Sequence, residues 1–372
     1  YFYSIDKQKF IQNIVFYFLI LSIFFSCTYT LMLSTDLSIG DFPSYTNIFK
    51  FNLGGANEIH RYRVFVPFLA RIINEIFNFL NLENIFNSLN NKYNIYDADI
   101  RLSFYIINFI STLITCQVIK SYLKPLKPNL IELVLIIGLF ITSKGIIFIN
   151  SHPLVDSFEI AFLSLACLQI QRGNYFNVIL LQIFSWPIKE TAMFYIFLLL
   201  IYFLFKDKNI NQAKKYFIFC ISIIFLIIAS STFELLFENL TKFQLNDLNN
   251  NESINVFVTA NTHISYLINS LSNYPLKLIL GCFHSIASNI SPAIIALSIF
   301  GYLISSVDKK FLETEEKYKY KNMLFLLVIL LIAGLLSGSI SGNGLGNRLI
   351  EGFITIMPFL LIGIRKINFK VS

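Results

Sequence analysis

A chain of 372 residues that is 55% hydrophobic, 16% aromatic and only 14% charged, with a mean hydropathy of +0.65, is too apolar to be a soluble domain. These figures exclude a water-soluble enzyme and read as one polytopic, all-α membrane domain over residues 1–372. The formal charge of +7 reports orientation in a membrane first, so it makes no case for a nucleic-acid partner.

The first apolar stretch, Phe10 to Leu33, is too long for a signal-peptide core and lacks a small-x-small cleavage site, so it predicts a retained transmembrane helix. Further spans are predicted near 100–119, 130–149, 216–233, 286–306, 323–340 and 349–364. Between Ser157 and Phe205 lie three apolar pieces, broken at Gln171-Arg172-Gly173-Asn174 and at Trp186-Pro187-Ile188-Lys189-Glu190. The middle piece, Tyr175 to Ser185, is short for a crossing; if it tilts across, the total is about ten. An even count puts both termini on one side, and most of the 29 basic residues fall in the loops and tails of that side. The expected location is therefore the cell inner (plasma) membrane, with both ends cytoplasmic.

The first outer loop, 34–99, carries Phe65, Phe68, Leu69, Ile72, Ile73, Ile76, Phe77 and Leu80 at helical spacing, with Arg71, Asn74, Glu75 and Asn78 on the other face. This predicts an amphipathic helix over about 64–80, lying in the outer interface with Pro67 in its first turn. A second outer loop, 231–275, is rich in asparagine at 246–251 and reads as open or partly helical. Cys27, Cys116, Cys167 and Cys220 lie inside apolar spans and Cys282 at the edge of one, which is the pattern of small buried thiols. No glycine-rich phosphate loop, His-x-x-x-His pair or CxxC is present, which argues against a nucleotide-driven pump.

Polar residues gather where the spans meet the outer side: Asp36 and Asp41, Asp97 and Asp99, Asn150, His152 and Asp156, Lys189 and Glu190, and Asn343, Asn347 and Arg348. Ionisable groups at membrane depth are costly and often functional. Each has a plainer reading beside it. Asp99 and Asp156 could cap helices, Lys189 and Glu190 could pair across a break, and Asp41 could open a turn with Pro43. His60 could be an interfacial hydrogen-bonding residue. Arg61 and Arg63, in the run His-Arg-Tyr-Arg, suit bidentate phosphate contacts, with snorkelling to lipid headgroups as the alternative.

The order of Gly-Asp41-Phe-Pro-Ser-Tyr45, the segment Arg61 to Arg71, Pro153-x-x-Asp156 and Lys189-Glu190-Thr191 resembles the bacterial integral-membrane glycosyltransferases of the GT-C superfamily and their uncharacterised relatives. The resemblance is strongest over 36–71 and 150–191. It implies a multi-pass enzyme that moves a sugar from a polyprenyl-phosphate-linked donor to a glycan, lipid or protein acceptor. Asp41 matches the catalytic acid of the first outer loop, with Asp36 as second choice; the two acids stand five residues apart. Arg61, Arg63, Lys189 and Arg348 would steady the leaving phosphate, with His60, Asp156 and Glu190 in the same substrate-binding set. Tyr45, Tyr62 and Trp186 could stack on the sugar or anchor at the interface. No dedicated metal site is evident, although Mg²⁺ or Mn²⁺ held by one or two carboxylates and the donor phosphate is compatible with the set. Two rivals stand beside this reading: a multi-pass transporter or flippase with its site at the broken region 171–190, and a non-catalytic subunit of a membrane complex.

Overall fold

The computed structural model describes residues 7–34, 36–37, 41–52, 55–56, 63–207, 210–244, 272, 290–307 and 353–368. Among them every regular element is helical: α1 (Lys7–Ser34), α2 (Phe42–Phe49), α3 (Phe65–Phe79), α4 (Glu83–Tyr93), α5 (Ala98–Leu123), α6 (Leu130–Ile141), α7 (Lys144–Ser151), α8 (Asp156–Gln171), α9 (Tyr175–Ser185), α10 (Glu190–Lys206), α11 (Gln212–Gln244), α12 (Pro292–Val307) and α13 (Met357–Asn368). The predicted all-α class holds. The breaks expected at 171–174 and 186–190 fall between α8, α9 and α10. α11 runs on through Gln244, so the start of the expected second outer loop is helical. Most of that loop, and the expected span at 323–340, lie outside the described residues.

Among the described residues two helices, Phe10–Ser34 and Ala98–Leu126, are long and apolar enough to cross a bilayer, and up to four if each of two bent helix pairs is one span. α1 exposes Phe10, Ile14, Phe18, Leu21 and Phe25 along one stripe while burying Phe16, Ile20 and Phe24 against its neighbours. An exposed apolar stripe of that length suits lipid and does not suit water. α1 and α5 run antiparallel. Their register is fixed by Tyr17 donating to Gln117 (2.6 Å), by the paired hydroxyls of Thr28 and Tyr105 (2.7 Å) and by Lys120 donating to Asn13 (2.8 Å).

This pair serves as a ruler for the remaining helices. The end of α7 touches the middle of α5, where Thr112 donates to Asn150 Oδ1 (2.9 Å) and Asn108 to the His152 carbonyl (2.8 Å). Asn108 lies roughly 15 Å along the axis from Ala98. α8 starts at that level and runs to the far end of α5, where Gln171 donates to the Tyr122 carbonyl (3.3 Å). α9 returns from there, and α10 goes back again, with Tyr175 of α9 bonded to Asp207 just past α10 (3.1 Å). α8, α9 and α10 thus run between one end of the bundle and its middle. Each traverses part of the depth, and the described residues do not show ten crossings.

Among the described residues, Lys120, Lys127, Arg172 and Arg365, all expected on one side, lie at the end reached by α8 to α10. Arg365 of α13 makes a bidentate contact with Glu132 of α6 (2.8 and 2.9 Å) and donates to the Lys127 carbonyl (3.1 Å). At the opposite end Arg101 of α5 donates to the carbonyls of Met32 (3.2 Å) and Tyr96 (3.0 Å) and interacts electrostatically with Asp97 and Asp36.

The predicted amphipathic helix is α3, but its faces are three. Val66, Pro67, Ala70, Asn74 and Phe77 are buried, while Phe68, Ile72, Ile76 and Phe79 form an exposed apolar stripe. Arg71 and Glu75 lie between the two. Asn74, expected on the solvent face, turns inward, and its Oδ1 is buried with no hydrogen-bond partner.

Candidate functional site at the middle of the bundle

Four helix N-termini converge at mid-depth, those of α2, α3, α8 and α10. Phe65, the first residue of α3, donates its backbone N–H to the Pro187 carbonyl in the α9–α10 break (3.0 Å), and its ring meets Phe158 of α8 at 5.6 Å. Phe42, the first residue of α2, packs on His152 at 4.8 Å. Helix N-termini carry partial positive charge, so acids are favoured here.

The acids are Asp156 and Glu159, in the first turn of α8. Both reach Lys189, in the extended residue that precedes α10: Nζ lies 2.7 Å from Asp156 Oδ1 and 2.5 Å from Glu159 Oε2. Asp156 therefore serves this ion pair, and α8 has no side-chain cap. Ser157 turns away to Asn150 Oδ1 (2.9 Å). Lys189 pairs backwards to α8; the side chain of Glu190, its expected partner, lies outside the described atoms.

On the other side of this triad stand Tyr45 and Arg63. Arg63 Nη1 donates to the Tyr45 hydroxyl (2.8 Å), and Asp156 and Lys189 both act electrostatically on that hydroxyl. Two of the sequence expectations are corrected here. Tyr45 is fully buried, so it is not an interface anchor. Arg63 is 8% exposed, which rules out snorkelling to headgroups. Together Arg63, Lys189, Asp156 and Glu159 make a charge-balanced set of two cations and two anions.

Asp41 is exposed at the N-cap of α2 and makes no capping hydrogen bond. Tyr45 N–H donates to its carbonyl (3.3 Å), so Asp41 stands one helical turn from Tyr45 of the buried cluster. Asp36 is also exposed and belongs with Arg101 and Asp97 at the start of α5. The two acids thus sit in different surroundings. Trp186 is half-buried in the α9–α10 break. His60, Arg61, Tyr62 and Arg348 lie outside the described residues.

Glu159 is the member that sequence reasoning passed over. Its signal was present: an acid three residues after Asp156, on the same helix face, inside the otherwise apolar run Phe158 to Leu163. Among the described residues no three or more His, Cys, Asp or Glu side chains gather as metal ligands do. Comparison of the chain with protein-family models, with curated proteins and with solved structures finds no match.

Proposed function

We propose that the chain is an integral-membrane glycosyltransferase of the GT-C kind, which takes a sugar from a polyprenyl-phosphate-linked donor and passes it to an acceptor hydroxyl. One observation carries the reading: buried Arg63 and Lys189 lie where four helix N-termini converge, and the exposed carboxylate of Asp41 stands one helical turn from Tyr45, the residue that Arg63 contacts. That arrangement offers a phosphate the Arg63 guanidinium and the positive ends of the helices, since Lys189 is already balanced by Asp156 and Glu159, beside a base open to an acceptor. Asp41 takes the acceptor proton as its oxygen attacks the anomeric carbon. The anomeric carbon–phosphate oxygen bond breaks, and the lipid phosphate leaves toward Arg63. Lys189, held by two carboxylates, shapes the site more than it binds the phosphate. Asp36 has no part in the step.

The test is turnover of a panel of polyprenyl-phosphate sugars by the full chain in nanodiscs. Asp41→Asn is expected to bind donor and to lose transfer by about 10²–10⁴-fold, the usual size of general-base catalysis. Arg63→Ala is expected to weaken donor binding. A wild type that neither binds nor consumes any donor sinks the proposal.

A transporter is the second reading, favoured by the half-depth helices whose breaks carry a buried Lys–Asp–Glu cluster. Solute flux into liposomes without donor turnover would select it.

A further inference from the structure

The hairpin that joins α10 to α11 holds a buried charge without a counter-ion. Asn211 starts α11: its Oδ1 accepts from the Ala213 N–H (3.1 Å) and its carbonyl from the Lys215 N–H (3.0 Å). Lys214 and Lys215 are the third and fourth residues of this helix, and its first turn has no acid. A helix N-terminus disfavours cations and favours anions. Lys214 is exposed, but Lys215 shares the inward stripe of Ile218 and Ser222 and is 5% exposed. Ser222 and Gln182 of α9 exchange hydrogen bonds, so Lys215, two turns earlier, stands level with Tyr175 at the start of α9. The Lys215 ammonium has three protons, and among the described residues one acceptor meets them, the Phe205 carbonyl near the end of α10 at 3.4 Å. Asp207, just past α10, accepts from the Tyr175 hydroxyl (3.1 Å) and forms no ion pair with Lys215. A helix C-terminus offers about half a unit of negative charge, short of what a buried ammonium needs.

We infer that this hairpin binds the phosphate of an acidic phospholipid headgroup, with the Lys215 ammonium as the buried contact and Lys206 and Lys214 at the rim. The balance of charge favours an anion: residues 206–215 carry four lysines to one acid. Basic clusters of this kind at a membrane surface attract acidic lipids. The surroundings favour a lipid over free phosphate. Phe176, Phe205, Tyr216 and Phe217 are all exposed, and the Phe205 ring meets Tyr216 (6.5 Å) and Phe219 (5.8 Å) across the hairpin. Exposed rings beside lysines at the end of a bundle mark the boundary between acyl chains and headgroups. A phospholipid held there covers the rings with its chains while its phosphate answers the buried charge. The site lies at the other end of α9 from the Asp156–Glu159–Lys189 cluster and does not rest on the transfer reading.

The experiment is thermal unfolding of the full chain in phosphatidylcholine nanodiscs at fixed ionic strength, with phosphatidylglycerol replacing a rising share of the lipid. A second arm adds inorganic phosphate to discs of phosphatidylcholine alone. A ligand that binds only the folded chain raises the midpoint along a saturable curve, and phosphatidylglycerol is expected to do so where inorganic phosphate does not. Lys215→Met is expected to melt no lower than wild type in phosphatidylcholine and to lose the rise with phosphatidylglycerol, whereas Lys215→Arg keeps it. Lys214→Gln, at an exposed position, should shift half-saturation severalfold higher, which keeps the test open if Lys215→Met does not fold. Lys124→Gln, exposed at the same end just past α5, should leave the curve unchanged. A wild-type midpoint that ignores phosphatidylglycerol overturns the inference. So does a full rise in Lys215→Met, which would leave Lys215 as a cap for α10 alone, or an equal loss in Lys124→Gln, which would mean diffuse surface charge. A saturable rise with inorganic phosphate alone overturns the lipid assignment in favour of a free anion.

Discussion

Lys189 answers to two carboxylates of unequal burial, since the side chain of Asp156 is 15% exposed and that of Glu159 is 0%. Removing the ammonium leaves Glu159 charged where water cannot screen it, a loss of about 3–5 kcal/mol for a buried pair broken from one side. Lys189→Met is expected to lower the melting midpoint and the folded yield sharply. The double variant Lys189→Met with Glu159→Gln should recover most of that loss. Lys189→Met with Asp156→Asn should recover less, because the deeper charge remains. Size-exclusion profiles and melting curves of the three variants decide it, and a Lys189→Met protein that melts like wild type would remove the cluster from the stability of the fold. The sequence showed Asp156 and Lys189 as polar points in apolar surroundings, yet it suggested Glu190 as the lysine's partner. What the sequence could not show is that the turn 186–189 aims Lys189 back at α8.

Between elements, α12 and α13 approach closely where Gly301 faces the Phe359 backbone and Gly363 faces that of Leu297. A Cβ at either glycine would fall inside contact distance of a backbone carbonyl oxygen, and backbone cannot swing aside as a side chain can. Gly301→Ala and Gly363→Ala should each destabilise by about 1–3 kcal/mol, as overpacking does. Gly138→Ala is the control, since its Cβ would stand 3.6 Å from the flexible end of Ile23, an ordinary contact. Melting midpoints of the three alanine variants check the contrast, and equal effects at all three sites would mean that α12 and α13 do not pack this closely. No sequence motif announced the pair, because the two glycines lie on separate helices and only the crossing brings them together. α3 is the opposite case: its period of 3.6 was plain, and its limits came within a residue of those expected. What the period could not show is that Asn74 belongs to the protein-facing side, since an asparagine in an apolar helix reads as polar surface until a neighbour covers it.

For the molecule as a whole the sequence marked where the chain breaks but not how deep the breaks lie. Gly173 at a positive φ and Pro187 are local signals, and they end α8 and α9 where expected. Depth is a tertiary property, set here by Asn108 and Thr112 in the middle of α5 and by the Asp156–Lys189 pair that places the α9–α10 break beside them. The chain carries a built-in reporter of that depth, because its one tryptophan, Trp186, sits in this break. If α9 crossed the membrane, Trp186 would lie at the outer headgroups, where emission is red-shifted and acrylamide quenches it. With α9 ending at the level of Asn108, Trp186 should instead emit at shorter wavelength in nanodiscs. Lipids brominated deep in their acyl chains should then quench it better than those brominated near the headgroup, and acrylamide should quench it poorly. Headgroup-level quenching would put the break at the surface and return α8, α9 and α10 to full crossings. It would also lift Asp156, Glu159 and Lys189 out of the low-dielectric interior, where their pairing is now strong.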